Sequence, residues 1–207
     1  MKEEMVRISL PWGKILKMSK LNEAIKFASD KHDGQIRKLT NLPYIFHPFE
    51  VAQIVCTMTD DEDVICAALL HDTVEDTKTT LDEIADKFGL KVMRLVALET
   101  ENKREHIDPT LTWKVRKEES LAEIKECNDL EAKMIWLGDK LSNIRSLYRY
   151  NILNGDKMWE TFNEKDPRNH AWYYREIVKI LKDLEGYAAY REFRITVEAL
   201  FGGYDEK

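Results

Sequence analysis

Apolar residues recur three and four positions apart over almost the whole chain, and only eight glycines and five prolines in 207 residues interrupt them. That spacing gathers side chains on one face of an α-helix, and each such stripe must find another to cover it. Alternating Val/Ile-rich runs bounded by turns, the mark of strands, are missing. Leu21, Ile25 and Ala28 mark one helix, broken at Asp33-Gly34. Val51, Ile54, Val55 and Met58 mark another that opens near His47-Pro48, where a proline suits the first turn. Asp63 is expected to cap a buried helix reading VICAALLHD, and Thr79-Thr80 ahead of Asp82 and Glu83 opens the next, which Gly89 stops. VMRLVALE, WKVRKEESLAEIKE, EAKMIWLGDKLSNIRSLYR and the long run WYYREIVKILKDLEGYAAYREFRITVEALF supply the rest. The polar stretches 101–109 and 151–167 read as connections. An all-α helical bundle of about eight to ten helices follows. Residues 1–18 are expected to form an N-terminal extension and residues 19–207 a single domain.

Charge and cysteine content narrow the partners. A net charge of −6 argues against nucleic acid as a partner, so a phosphorylated small molecule would need a local basic patch. Three widely spaced cysteines, Cys56, Cys66 and Cys127, form no disulfide framework and suit a reducing, cytoplasmic setting. The opening MKEEMVRISLPWGK lacks the apolar core of a signal peptide. No run reaches the ~20 apolar residues of a membrane span. The sequence leaves a homo-oligomer open.

Chemistry concentrates at HDTVED. His71 and Asp72 end an apolar helix and offer an imidazole and a carboxylate, ligands that suit Mn²⁺, Fe²⁺ or Zn²⁺ alike. If the helix continues, Glu75 lies four residues from His71 and Asp76 four from Asp72, on the same side. A His-Asp pair alone is also what a polar helix end facing water looks like. Two further segments add to it. His47 sits in PYIFHP between two prolines, and Asp139 interrupts an apolar helical stripe, where a carboxylate is costly unless paired or bound to a cation. Asn143, four residues on, shares the face of Asp139 and could donate to a phosphate or sugar oxygen. Arg37, Lys38, Lys140 and Arg145 could form the basic patch.

The segments HDGQIRK, PYIFHP, AALLHDTVEDT and GDKLSNIRSL, in that order, resemble the HD hydrolase domain of the RelA/SpoT family, and above all its stand-alone small alarmone hydrolases. The similarity runs continuously over 21–150 and more loosely through the C-terminal helices. It implies an HD-domain bundle, a divalent metal, usually Mn²⁺, and hydrolysis of the 3′-pyrophosphate of guanosine tetra- or pentaphosphate. It assigns the metal to His47, His71, Asp72 and Asp139, and the attacking water to Glu75 and Asp76. It lays Arg37 and Lys38 against the base and Asn143 on the sugar or phosphate. Arg168, with Trp172 and Tyr173, would close over the ligand, although aromatics at such spacing are also ordinary core.

Two positions depart from the family pattern. Gly138 replaces the usual alanine before Asp139, which is harmless, whereas LTNLP follows Arg37-Lys38 where a glycine and a small residue are usual, which touches guanine selectivity. Two alternatives therefore stay open. One is an HD phosphohydrolase for another phosphorylated nucleotide, such as the 2′-phosphate of NADPH. The other is a nucleotide-binding sensor without turnover, which the complete set of candidate ligands and the Glu75-Asp76 pair argue against.

Overall fold

The computed structural model describes residues 18–38, 40–100 and 106–204, and ten α-helices carry most of them. They are α1 (Met18–Lys31), α2 (Phe46–Val55), α3 (Glu62–Leu70), α4 (Thr73–Asp76) and α5 (Leu81–Phe88), followed by α6 (Leu90–Glu99), α7 (Pro109–Glu126), α8 (Leu130–Asn154), α9 (Pro167–Ile180) and α10 (Ala188–Phe201). A single antiparallel bridge, Ile36 to Pro43, is the only sheet-like pairing among the described residues. The expected all-α bundle is therefore what forms. The proposed N-terminal extension falls, up to residue 17, outside the described residues, as does 101–105 of the connection read over 101–109.

Local chemistry sets most boundaries. Thr80 accepts a hydrogen bond from the Glu83 amide and opens α5, and Gly89, at φ +91°, ends it where a side chain would be strained. The cap of α3 is Asp61 rather than Asp63: Asp61 is extended and its carboxylate takes the Asp63 amide at 2.9 Å. Asp63 lies in the first turn and meets Lys20 Nζ at 2.5 Å. The long C-terminal run is not one helix. It divides into α9, a 3-10 turn at Leu181–Leu184 and α10, because Gly186 is a poor helix former and the extended Tyr187 restarts the chain. The stretch 151–167 is more ordered than a connection: α8 runs to Asn154, and a 3-10 helix at Gly155–Thr161 buries Met158 and Trp159.

The helix α8 is the axis. It packs against α2, α3, α6 and α10, and Leu137, Leu141 and Ile144 along it are wholly buried. Gly138 lets α2 come close: a Cβ there would stand 3.1 Å from Val55 Cγ2, 3.2 Å from Val51 Cγ1 and 3.3 Å from the Val51 carbonyl. This approach matters because α2 carries His47 and α8 carries Asp139. Among the described residues, no helix is long and apolar enough to cross a membrane. Gly138→Val should wedge α2 and α8 apart, at a cost of about 1–3 kcal/mol. A urea midpoint at or above the parent's would show that α2 can shift without loss.

Candidate functional site

Three helices meet at His47, His71, Asp72 and Asp139. His47 occupies the first turn of α2, held by the proline after it; His71 and Asp72 form the turn that ends α3; Asp139 faces inward from α8. The α3 helix does not run on through the pair, since His71-Asp72 is a turn before the short α4. His47 Nε2 lies 3.1 Å from Asp139 Oδ1 and 3.4 Å from Asp72 Oδ2. His71 Nε2 lies 3.0 Å from Asp72 Oδ2 and 3.9 Å from Asp139 Oδ1. Ligand atoms of His47, His71 and Asp139 all fall within 4.8 Å of one another, and these three residues are buried. Asp72 reaches both imidazoles from the rim of that group.

Hydrogen bonds fix which nitrogen of each imidazole is bare. His71 Nδ1 is 2.8 Å from the Ala68 carbonyl, which can only accept, so Nδ1 carries the proton. His47 Nδ1 is 2.9 Å from Ser142 Oγ, whose own proton goes to Glu50 Oε2 at 2.8 Å. Ser142 must therefore accept from His47. With Nδ1 of each ring committed to these acceptors, both Nε2 atoms face two carboxylates, an arrangement that only a proton or a cation can reconcile. Despite its nearness to Asp72, His71 Nε2 has no hydrogen-bond partner among the described residues. An orphaned buried nitrogen beside mixed imidazole and carboxylate donors fits a divalent metal ion.

Charge follows the same logic. Burial alone would lower the His71 pKa, but the negative charge of Asp72 outweighs it and lifts the ring to about 10. Burial would likewise raise Asp72 and Asp139; the charges of His71 on the first and Lys140 on the second hold both carboxyls well below the usual range. Burial, then the charge of Asp72, pushes Tyr44 far upward, so its hydroxyl stays a donor to Asp72 Oδ2 at 2.6 Å.

A polar cavity of about 200 Å³ surrounds this cluster. Glu75 lines it, whereas Asp76 does not, and Gln35 holds the Asp76 carbonyl at 2.9 Å. Glu99, at the end of α6, also faces the cavity; its Oε1 is buried with no hydrogen-bond partner among the described residues, and burial drives its pKa well upward. Adjoining it is a second cavity of about 340 Å³ with aromatic walls and a basic edge. Tyr44, Lys117, Lys140 and Asn143 border both.

The other residues singled out from sequence divide. Arg37, Lys38 and Tyr173 line the aromatic cavity, and Arg37 donates to Asn143 Oδ1 at 2.9 Å while Asn143 donates to Asp139 Oδ1 at 2.5 Å. Tyr173 is 4% exposed, and its hydroxyl has no partner among the described residues. Lys140 spends its ammonium on Asp139 Oδ2, 2.5 Å away. Arg145, Arg168 and Trp172 border neither cavity. Arg145 is clasped by Glu50 and Glu192, Arg168 by its own helix cap Asp166, and Trp172 lies under Lys114 Nζ, 3.4 Å from the ring centre. Sequence reasoning passed over Tyr44, although PYIFHP contains it, and over Glu99, Trp113, Arg116, Lys117 and His170. The signal for the α7 residues was their helical spacing at 113, 116 and 117, which sets one face.

An all-helical bundle with a His, His-Asp, Asp cluster at its centre is the arrangement of an HD domain, and residues 24–158 match the HD domain family. The chain belongs to that family. Its relatives include guanosine-3′,5′-bis(diphosphate) 3′-pyrophosphohydrolase MESH1 of Mus musculus, 42% identical over 134 residues, which are 63% of this chain and 71% of that protein. The corresponding protein of Xenopus tropicalis is 37% identical over 163 residues, covering 77% and 83%. Among solved structures, a metazoan ortholog of SpoT that hydrolyses ppGpp superposes with a TM-score of 0.70 at 25% identity, over 92% of this chain and 98% of that one.

A divalent cation held by His71 would have to displace the proton that Asp72 stabilises there, while the carboxylates are already ionised. Affinity for a divalent cation should thus rise with pH towards 10, with about one proton released per ion near neutrality. Titration calorimetry in buffers of different ionisation enthalpy counts that proton; zero release would mean that His71 is not displaced. His71→Ala should take up no divalent cation in the same titration.

Proposed function

We propose that this chain is a metal-dependent phosphohydrolase that removes the 3′-pyrophosphate of guanosine tetra- or pentaphosphate, giving GDP or GTP and pyrophosphate. Two bare imidazole nitrogens converging on two carboxylates, beside an aromatic cavity with a basic edge, carry the proposal. The relatives that bear this activity in their names support the choice of nucleotide.

In this mechanism His47, His71, Asp72 and Asp139 hold the cation, most simply Mn²⁺. When bound, such an ion acidifies water and neutralises charge on phosphoryl oxygens. Glu75 takes the proton of the attacking water, and Asp76, through its backbone, fixes the short helix that aims Glu75. Water oxygen bonds to the phosphorus next to the 3′ oxygen as the P–O3′ bond breaks, and the departing 3′ oxygen regains a proton to become a hydroxyl. Arg37, Lys38 and Tyr173 face the base, and Asn143 stands between base and metal, where the sugar passes. The Tyr173 hydroxyl, orphaned in a buried position, gains its partner from the ligand. We place the enzyme in the cytoplasm, in keeping with its free cysteines, and leave it free to self-associate.

Mn²⁺-supplemented protein should convert guanosine tetraphosphate to GDP and pyrophosphate in equal amounts. Glu75→Ala should lower kcat by about 10²- to 10⁴-fold with nucleotide binding retained. Equal rates for parent and variant would remove Glu75 from the mechanism. Release of phosphate from NADPH by a protein inert to guanosine tetraphosphate would move the substrate to the other phosphorylated-nucleotide class. Binding without any turnover would make it a sensor.

A further inference from the structure

Glu75 rides on a helix of a single turn. The four residues of α4, Thr73–Asp76, cannot hold helical geometry by their own hydrogen bonds, because a first turn fixes more dihedrals than its one bond repays. Its shape must be imposed from outside, and both ends are held. At its start Tyr44 donates to Asp72 Oδ2 at 2.6 Å, and at its end Gln35 Nε2 donates to the Asp76 carbonyl at 2.9 Å. The carbonyls of a last turn find no partner within their own helix, so Gln35 supplies one from another part of the chain.

Both supports meet at His32, just beyond α1. The Asp76 carbonyl can only accept, so the Gln35 amide turns its nitrogen there and its oxygen to His32 Nδ1, 2.8 Å away, which must then donate. The His32 ring also lies 5.0 Å from that of Tyr44, tilted by 40°. His32 is 2% exposed, and its Nε2 is buried with no hydrogen-bond partner among the described residues. Packing alone would be served better by an apolar ring, which buries no orphaned nitrogen. What a histidine adds is the Nδ1 bond to Gln35. The backbone there is fixed as well: the Gln35 carbonyl takes the Tyr44 amide at 2.9 Å, beside the bridge from Ile36 to Pro43.

We infer that His32 and Gln35 are positioning residues for the hydrolysis: through the Asp76 carbonyl they set α4 and so aim Glu75 into the polar cavity. Neither residue lines the polar or the aromatic cavity, so their effect on the reaction runs through Glu75. A misplacement of about 1 Å in a group that must meet the reacting atoms can cost roughly 10²-fold in rate. The inference rests on the proposed metal-dependent hydrolase with Glu75 as its base.

The test measures kcat and KM of Mn²⁺-supplemented protein on guanosine tetraphosphate, and Mn²⁺ affinity by calorimetry. Gln35→Met, close in shape but without the amide, should lower kcat by roughly tenfold or more, with KM and Mn²⁺ affinity within about threefold of the parent. His32→Phe, which keeps a ring against Tyr44, should do the same. His32→Asn, whose amide can donate in place of Nδ1, should recover most of the loss. In a Glu75→Ala background Gln35→Met should change the remaining rate by less than about twofold, because residues that act through one group are not additive. Should Gln35→Met melt well below the parent, Gln35→Asn, polar but one methylene too short to reach both partners, carries the same comparison. An unchanged kcat in the Gln35 variants overturns the inference, as does a fall in kcat matched by the fall in Mn²⁺ affinity, or a full further loss on top of Glu75→Ala. Parent turnover that is indifferent to Gln35 sinks the positioning role alone. A parent that cleaves only NADPH sinks the guanosine substrate alone, and the same Gln35 and Glu75 comparison on NADPH then decides the positioning role. A parent inert to both sinks the two claims together.

Discussion

Asp139 has to be ionised inside a helix whose neighbouring positions, Leu137, Leu141 and Ile144, are wholly buried. An isolated carboxylate there would be expelled or protonated, because burial without partners costs several kcal/mol. Here Lys140, Asn143 and His47 all address it. Much of the fold supplies those partners: α2 brings His47, the end of α3 brings His71, and α8 brings its own Lys140 and Asn143. The bundle is arranged around a charge that its core could not otherwise contain.

The close approach of α2 to α8 at Gly138 and the cluster beside it are therefore one feature. A bulkier side chain at that crossing would press on Val51 and Val55, which share α2 with His47. The bare nitrogens depend on it as well, since the proton on His47 Nδ1 is placed by Ser142 from α8.

Much of this was legible in one dimension. Helical periodicity gave the class of fold, and the spacing of His71, Asp72 and Asp139 within apolar runs marked charges that needed a reason to be buried. What failed did so for geometric reasons. Arg145 was expected in the basic patch, but six residues beyond Asp139 it points well around the helix, toward Glu50 and Glu192. Trp172 and Tyr173 are adjacent in sequence and thus about 100° apart on α9, so only Tyr173 meets the cavity. Arg168 was spent locally on the aspartate that starts its helix. Glu99 and the α7 face come from segments with no motif of their own, and only the packing of the bundle brings them to the cavity around the His-Asp cluster. Propensity alone also joined α9 to α10, since a buried turn at Leu181–Leu184 reads as helix to any periodic criterion.

The bonds from His47 to Ser142, on to Glu50, to Arg145 and finally to Glu192 form an unbroken line from the cluster to the last helix. The carboxylate of Glu192, exposed on α10, thus helps decide the tautomer of an imidazole in α2. In lineages descended from such a chain, drift in the C-terminal helix is not free of the centre: a charge lost at its surface must be answered at Arg145 or Glu50, and these positions should change in concert.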